Sequence, residues 1–464
     1  MNAKQLAALG VPPGESTRLA LDFVARYCRE GGDVTLLPDQ VAAVVADPAT
    51  FLGDLAREAF ARSLYEPAFK QRETLAPWRQ WGSGLEPDAV RQMANACALP
   101  VAVAGALMPD AHVGYGLPIG GVLATENCVI PYAVGVDIAC RMRLSVFDAK
   151  GGSIAGQKDR LANIIETETR FGVGAAFKQR RDHEVMDEDW SVSPVTKRLR
   201  DKAWTQLGTS GSGNHFVEFG EFVLDQPALG LEPGNYLALL SHSGSRGVGA
   251  QICQLYSRIA MDRRGRLPKE LAHLAWLDFG EEAGQEYWAA MELMGHYAAA
   301  NHALIHRHIA RKLGTAVRAG VENHHNFAWK ERHVVEGVER EVVVHRKGAT
   351  PAGEGVLGVI PGSMASPGFV VRGRGNAASL GSASHGAGRV MSRTKALQSF
   401  TWSTVKKTLA ERGVTLLSAG LDEVPGVYKD IHEVMAAQGD LVETLGRFEP
   451  RLVKMCPAGE RAED

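Results

Sequence analysis

From Ala104 onward short β-rich runs alternate with glycine-containing loops, and one long helical stretch, Gln285 to Leu313, interrupts them. A chain built this way is neither a helical bundle nor an all-β sandwich. Gly121–Thr125, Arg143–Phe147, Tyr236–Leu240, Glu341–His345 and Gly368–Arg372 have the branched and aromatic composition of strands. The helical stretch carries Tyr287, Trp288, Met291, Met294 and Tyr297 on one side. Its histidines, His296, His302, His306 and His308, sit on a helix that packing and charge already explain, so they are read as structural or solvated. The first hundred residues differ. Ser16-Thr17 are placed to cap a helix with Leu19, Phe23, Val24 and Tyr27 at helical spacing, stopped by Gly31-Gly32, and Pro38 to Ala46 and Phe51 to Ser63 read as short amphipathic helices. The expected organisation is an α+β fold: a helical N-terminal extension over 1–103, a large domain with a β-rich core and surrounding helices over 104–455, and a flexible tail over 456–464.

Composition excludes more than it selects. A chain of 464 residues can bury a sizeable core, and a net charge of −2 gives no global basic footprint, so any nucleic-acid contact has to come from local clusters. Lys178, Arg180 and Arg181, then Lys197, Arg198, Arg200 and Lys202, then Arg372 and Arg374, are such clusters. Six scattered cysteines without a CxxC pair read as reduced thiols. The N-terminus lacks an apolar core behind a basic flank, and no run approaches the roughly 18 apolar residues of a spanning helix. The expectation is a soluble, cytoplasmic protein.

The chemistry concentrates in five segments. Ser379-Leu-Gly-Ser-Ala-Ser-His-Gly-Ala-Gly-Arg-Val-Met-Ser-Arg393 puts His385 among small residues with Arg389 and Arg393 after it, a place where a phosphate can reach an imidazole. That points to a histidine nucleophile. The others are Val134-Gly-Val-Asp-Ile-Ala-Cys140, Gly208-Thr-Ser-Gly-Ser-Gly-Asn-His-Phe-Val-Glu218, Ser241-His-Ser-Gly-Ser-Arg-Gly247 and Asn323-His-His-Asn-Phe327. Asp137 and Cys140, three apart at the end of the strand-like run Ile130 to Val136, form a carboxylate and thiolate pair, and a thiolate has lone pairs enough to bridge two ions. Taken together and in order, from about Met108 to the C-terminal end, these segments resemble the RtcB family of GTP-dependent RNA ligases.

The resemblance implies a ligand set of Asp137, Cys140, His215, His242 and His325 holding two Mn²⁺ ions. Asp137 and His215 would serve one ion, His242 and His325 the other, and Cys140 both. The residues alone fit Mn²⁺ no better than Zn²⁺, so manganese comes from the family; His324 is off the matched position. The resemblance also implies GTP as co-substrate, with guanylate contacts at Asn214 and Glu218, at His325 and Asn326, along Pro361, Gly362, Ser363 and Met364, and along His385, Gly386, Ala387 and Gly388. Lys454 is the candidate for the base-contacting lysine near the family's C-terminal end. Two departures stand out: Gly368 where the family usually has a serine, and Arg141 after Cys140 where it more often has glycine.

By the same resemblance, His385 attacks the α-phosphorus of GTP, GMP passes to an RNA 3′-phosphate, and a 5′-hydroxyl displaces it; a 2′,3′-cyclic phosphate is opened first. Asp110, in Met108-Pro-Asp-Ala-His112, matches an acidic position near the reacting ends, and Arg246 and the pair Arg346-Lys347 are candidate phosphate contacts. The implied role is RNA repair or tRNA splicing. Two alternatives remain at this stage, a dinuclear metal-dependent RNA-end hydrolase, which needs the metal ligands but not His385, and a non-catalytic RNA-end or ribosome-binding paralogue. The sequence leaves open the physiological RNA, a helper protein for turnover and the oligomeric state.

Overall fold

The computed structural model describes residues 1–65, 69–264 and 267–460. The chain divides into two compact units, Met1–Lys70 and Gln71–Asp464. In the first, helices Ala3–Ala8, Glu15–Arg29, Leu37–Ala46 and Glu58–Leu64 enclose Leu6, Phe23, Val41, Val44 and Phe60. The second helix starts a turn earlier than the Ser16-Thr17 cap predicts. Gly14 occupies its N-cap, and both hydroxyls serve other backbone groups, Ser16 donating to Ser63 O and Thr17 to Pro12 O.

The second unit is built on two sheets. The larger runs Leu357–Ile360, Gly368–Gly373, Val442–Met455, Phe216–Leu224, Gly234–Ser243, Arg141–Lys150, Val317–His324, every neighbour antiparallel, with Thr415–Ser418 laid parallel on Val442–Met455. The smaller runs Trp78–Gln80, Ala102–His112, Ile119–Thr125, Val338–Lys347, Asn326–Val335. Ala102–His112 and Ile119–Thr125 are buried almost throughout, which is why they read as small and apolar on both faces rather than alternating. All five strand runs expected from composition lie inside observed strands, so the α+β class is correct.

Helix Glu282–Leu313 has Tyr287, Met291, Met294 and Tyr297 fully buried against helices Pro194–Gln206 and Arg246–Arg263, and ends on Gly314 in the left-handed conformation. His302 and His306 on it are structural. They share the Ser241 hydroxyl at 2.7 and 2.8 Å, and His306 reaches Ser145 on its other side at 2.8 Å. His296 is exposed beside Glu188. Of the tail expected from Cys456 onward, Arg461 to Asp464 lie outside the described residues, and Cys456 itself is buried. Among the described residues no helix is long and apolar enough to cross a membrane.

Candidate active site

The chain crosses from the larger sheet to the smaller between Val317–His324 and Asn326–Val335, and His325 stands at that crossing. Its N–H donates to Cys140 O at 3.0 Å and its carbonyl accepts from Ala349 N at 3.2 Å, so the backbone is held on both sides. Cys140 directly precedes strand Arg141–Lys150. The run before it is not the strand the composition suggests: Pro131 opens a one-turn helix, Pro131–Val134, which Gly135 ends at φ 112°. Asp137 and Cys140 therefore sit in a turn, fixed by Ala139 donating to Asn326 O at 2.7 Å and by the Asn326 amide donating to Asp137 O at 3.2 Å.

His215 opens strand Phe216–Leu224, and His242 lies in Gly234–Ser243, in register with Met142 and Phe216. The loop before His215 passes so close to its surroundings that a Cβ on Gly211 would lie 2.0 Å from the Arg246 guanidinium and 2.3 Å from His215 Nδ1. Only glycine fits there.

These elements bring together five side chains, each no more than 5% exposed: Asp137, Cys140, His215, His242 and His325. Cys140 Sγ lies 3.0 Å from His242 Nε2 and 3.4 Å from His215 Nε2; His242 Nε2 is 3.2 Å from His325 Nε2, and Asp137 Oδ2 is 3.1 Å from His215 Nε2. They form two triads that could each hold an ion, Asp137–Cys140–His215 and Cys140–His242–His325, sharing the thiol. Burial first, then the neighbouring His215, pulls His242 down to about 3, and burial with His385 next holds His325 well below its usual value. The Nε2 atoms of His242 and His325 turned on one another, beside the Cys140 thiol and the buried Asp137 carboxylate, are a donor set suited to a cation. Arg141 points elsewhere, pairing with Glu322 and donating to Gly295 O at 3.0 Å. The departure after Cys140 thus does not reach the cluster.

One residue that the sequence gave no signal for ties the two ligand-bearing loops together. Asn301, fully buried on the long helix, accepts from Gly208 N at 2.8 Å and donates to Gly244 O at 3.1 Å. Asn301→Leu leaves both buried backbone groups unpaired, at a cost of about 1–3 kcal/mol each. The expected outcome is a less stable protein that retains less divalent metal, checked by denaturant unfolding and by metal titration.

His385 follows the short strand Ser382–Ser384. Asp110 Oδ2 is its anchor, accepting from His385 Nδ1 at 2.7 Å, His385 N at 3.2 Å and Gly386 N at 3.4 Å. Burial alone would raise the Asp110 carboxyl, but the hydrogen bond and charge of His385, with Lys429 and His112 behind them, carry it below the usual carboxylate range. In the neutral form of the imidazole, an ionised Asp110 holds the proton on Nδ1, which leaves Nε2 as the ring nitrogen with a lone pair. The ring stands 4.9 Å from that of His325, centroid to centroid. Gly388, at φ 74°, packs against the Asp110 backbone so closely that a Cβ would meet its carbonyl oxygen at 2.0 Å.

Asp137, Cys140, His242 and His325 of the cluster line, with His385, one cavity of about 570 Å³, within the range of small-molecule sites. Asn214, Glu218, Asn326, Pro361 to Met364, Gly368 and His385 to Gly388 all line it. Burial pushes the Glu218 carboxyl well above its ordinary value. Arg389 and Arg393 also line it, already paired with Glu423 and Asp422. The structure does not bring every expected residue there. Lys454 pairs with Val217 across the sheet, on the face opposite the cavity-lining Val453 and Met455, and its ammonium reaches Glu166 at 2.6 Å. Arg246 is 1% exposed behind the His215 loop, donating to Thr209 and Gly172 O. Arg346 is engaged bidentately by Glu331, whereas Lys347 lines the cavity, donates to Tyr115 O at 2.6 Å and is held by burial at about 8. Arg181, from the first basic cluster, is buried against Glu168 and Gly208.

An α+β fold here holds a buried cluster of side chains able to ligate metal beside a carboxylate-anchored histidine. The family described as tRNA-splicing ligase RtcB matches residues 92–455, and the chain belongs to it. It is 32% identical to the RNA-splicing ligase RtcB of Escherichia coli K12 over 80% of this chain and 95% of that protein. It is 31% identical to the tRNA-splicing ligase RtcB of Methanococcus maripaludis, covering 81% and 91%, and 32% identical to that of Archaeoglobus fulgidus, covering 79% and 90%. The protein is an RNA ligase.

Proposed function

We propose that this ligase joins RNA ends bearing a 3′-phosphate or 2′,3′-cyclic phosphate to 5′-hydroxyl ends, using GTP through a His385–GMP intermediate with two Mn²⁺ ions, in RNA repair or tRNA splicing. The observation that carries the reading is His385 itself. Its Nδ1 is committed to Asp110, and its Nε2 has no protein partner among the described residues while the side chain lines the cavity that the Cys140 cluster also lines. A metal-dependent hydrolase would leave this pair without a task.

Nε2 donates its lone pair to the α-phosphorus, a P–N bond forms, and the P–O bond to pyrophosphate breaks with its electron pair leaving on the oxygen. The imidazole becomes cationic as it attacks, and the Asp110 carboxylate, 2.7 Å from Nδ1, stabilises that charge. An RNA 3′-phosphate oxygen then displaces His385 from phosphorus, and the 5′-hydroxyl attacks the activated RNA phosphate, releasing GMP. Asp137, Cys140, His215, His242 and His325 would hold the ions, which when bound offset phosphate charge. Asn214, Glu218, the Pro361 to Met364 loop and the His385 to Gly388 loop would surround the guanylate, and Lys347 would meet a phosphate. Incubation with labelled GTP and Mn²⁺ followed by denaturing electrophoresis tests the reading. A protein adduct that is acid-labile and alkali-stable supports it, and no adduct under any divalent ion sinks it.

The Gly368 departure has a measurable consequence. A Cβ built there meets nothing closer than Pro361 Cα at 3.5 Å, so a serine fits the cavity wall without displacing it. Gly368→Ser is expected to tighten GTP severalfold, about 1 kcal/mol for one new hydrogen bond, read by equilibrium binding. Unchanged or weaker binding would place the nucleotide away from this wall.

A further inference from the structure

Loop residues His112 to Tyr115, at the end of strand Ala102–His112, line the cavity together with Lys347. Tyr115 is 65% exposed, the highest of any Phe, Tyr or Trp among the described residues. An exposed tyrosine on a slack loop would mean little, but this loop is tied down. Gln92 clamps Gly114 from both sides, accepting from its N–H at 3.0 Å and donating to its carbonyl at 2.5 Å. Gly116, at φ 70°, packs so tightly on His273 that a Cβ would meet the His273 carbonyl oxygen at 2.7 Å. The Tyr115 carbonyl holds the Lys347 ammonium. The ring itself is braced by His273 at 5.6 Å, edge to face, and by Tyr132 at 6.4 Å. The fold therefore holds a large apolar ring still, in water, at the edge of a reactive cavity.

Single-stranded RNA is gripped by rings stacked on its unpaired bases, with cations on the flanking phosphates. Lys347 supplies such a cation, lining the same cavity with its ammonium on the Tyr115 carbonyl. We propose that Tyr115 is a stacking platform for an unpaired nucleobase of an RNA end entering the cavity, with Lys347 beside it. The inference rests on the reading that RNA ends react in this cavity. It predicts recognition of the base by its face, without regard to its identity.

The test uses the full-length protein with short RNAs whose terminal bases are replaced, one at a time, by 2-aminopurine or by an abasic nucleotide. In Tyr115→Ala the backbone carbonyl that holds Lys347 is kept, so the loop and its cation stay in place. Stacking on one ring contributes about 1–3 kcal/mol, so Tyr115→Ala should raise the KM for RNA roughly 5- to 150-fold, with the loss falling on KM rather than kcat. Tyr115→Phe, which keeps the ring face, should restore it. The wild-type protein should quench 2-aminopurine at one terminal position, and an abasic nucleotide there should bind wild type and Tyr115→Ala equally. Unchanged KM in Tyr115→Ala, a Tyr115→Phe protein as impaired as Tyr115→Ala, or no quenching at any position overturns the platform. If wild type binds and quenches the RNA yet seals none, the chemistry assigned to the cavity fails while the platform stands.

Discussion

His385→Ala is expected to fold, keep its metal and form no adduct with GTP, while sealing of 3′-phosphate ends falls by several orders of magnitude, as when a covalent nucleophile is removed. The side chain is part of no core cluster and its anchor, Asp110, retains the Gly386 N–H and Lys429 nearby, so the loss should be chemical rather than structural. An RNA already carrying GMP on its 3′-phosphate bypasses the missing step, and the variant should still join it to a 5′-hydroxyl end. Electrophoresis of labelled protein and labelled RNA reads both arms. Robust joining of ordinary 3′-phosphate ends by His385→Ala would remove His385 from the mechanism.

Cys140→Ala should have a comparably large effect by another route. Its sulfur belongs to both triads, so one substitution strips a ligand from each. Bound metal measured on gel-filtered protein should fall to near background, and labelling by GTP should disappear with it. Cys97→Ala is the matched control: that thiol is buried, held protonated at about 12 by burial, and packs near Gly105 away from the cluster. Normal metal content in Cys140→Ala would exclude the shared-thiol arrangement.

What was legible in the sequence follows from what is local. Strand Gly234–Ser243 and helix Glu282–Leu313 announce themselves through composition and spacing, and the ligand residues lie in short segments whose glycines mark tight passage. Ile130 to Val136 misled because valine and isoleucine composition outweighed Pro131, which fixes a helical start that only the turn to Cys140 explains. The family resemblance makes Lys454 the candidate for the base-contacting lysine, yet its direction is set by strand alternation and by the partner Val217, neither visible without the sheet. Arg246 and Arg346 look like phosphate contacts in a linear reading; in the fold their buried guanidiniums satisfy other groups, Gly172 O for Arg246 and, on the neighbouring strand, the Glu331 carboxylate for Arg346. Asn301 and Gln92 could not be found at all from sequence, since a polar side chain on a helix gives no hint of two loops meeting across it.

The fastening of His385 also sets an order of events. Asp110 Oδ2 grips its ring and backbone, and Gly388 is pressed on the Asp110 carbonyl, so the imidazole is held at one position. On the proposed mechanism both displacements at the guanylate phosphorus would then occur around one stationary nitrogen. Attack and departure at phosphorus are roughly in line, so pyrophosphate would leave on the side opposite His385, and the RNA 3′-phosphate would arrive through the same space. On that mechanism pyrophosphate and the RNA 3′ end would be rivals for one position, the former vacating before the latter enters, and the ligase would work by strict alternation at a fixed post instead of by carrying GMP from one site to another.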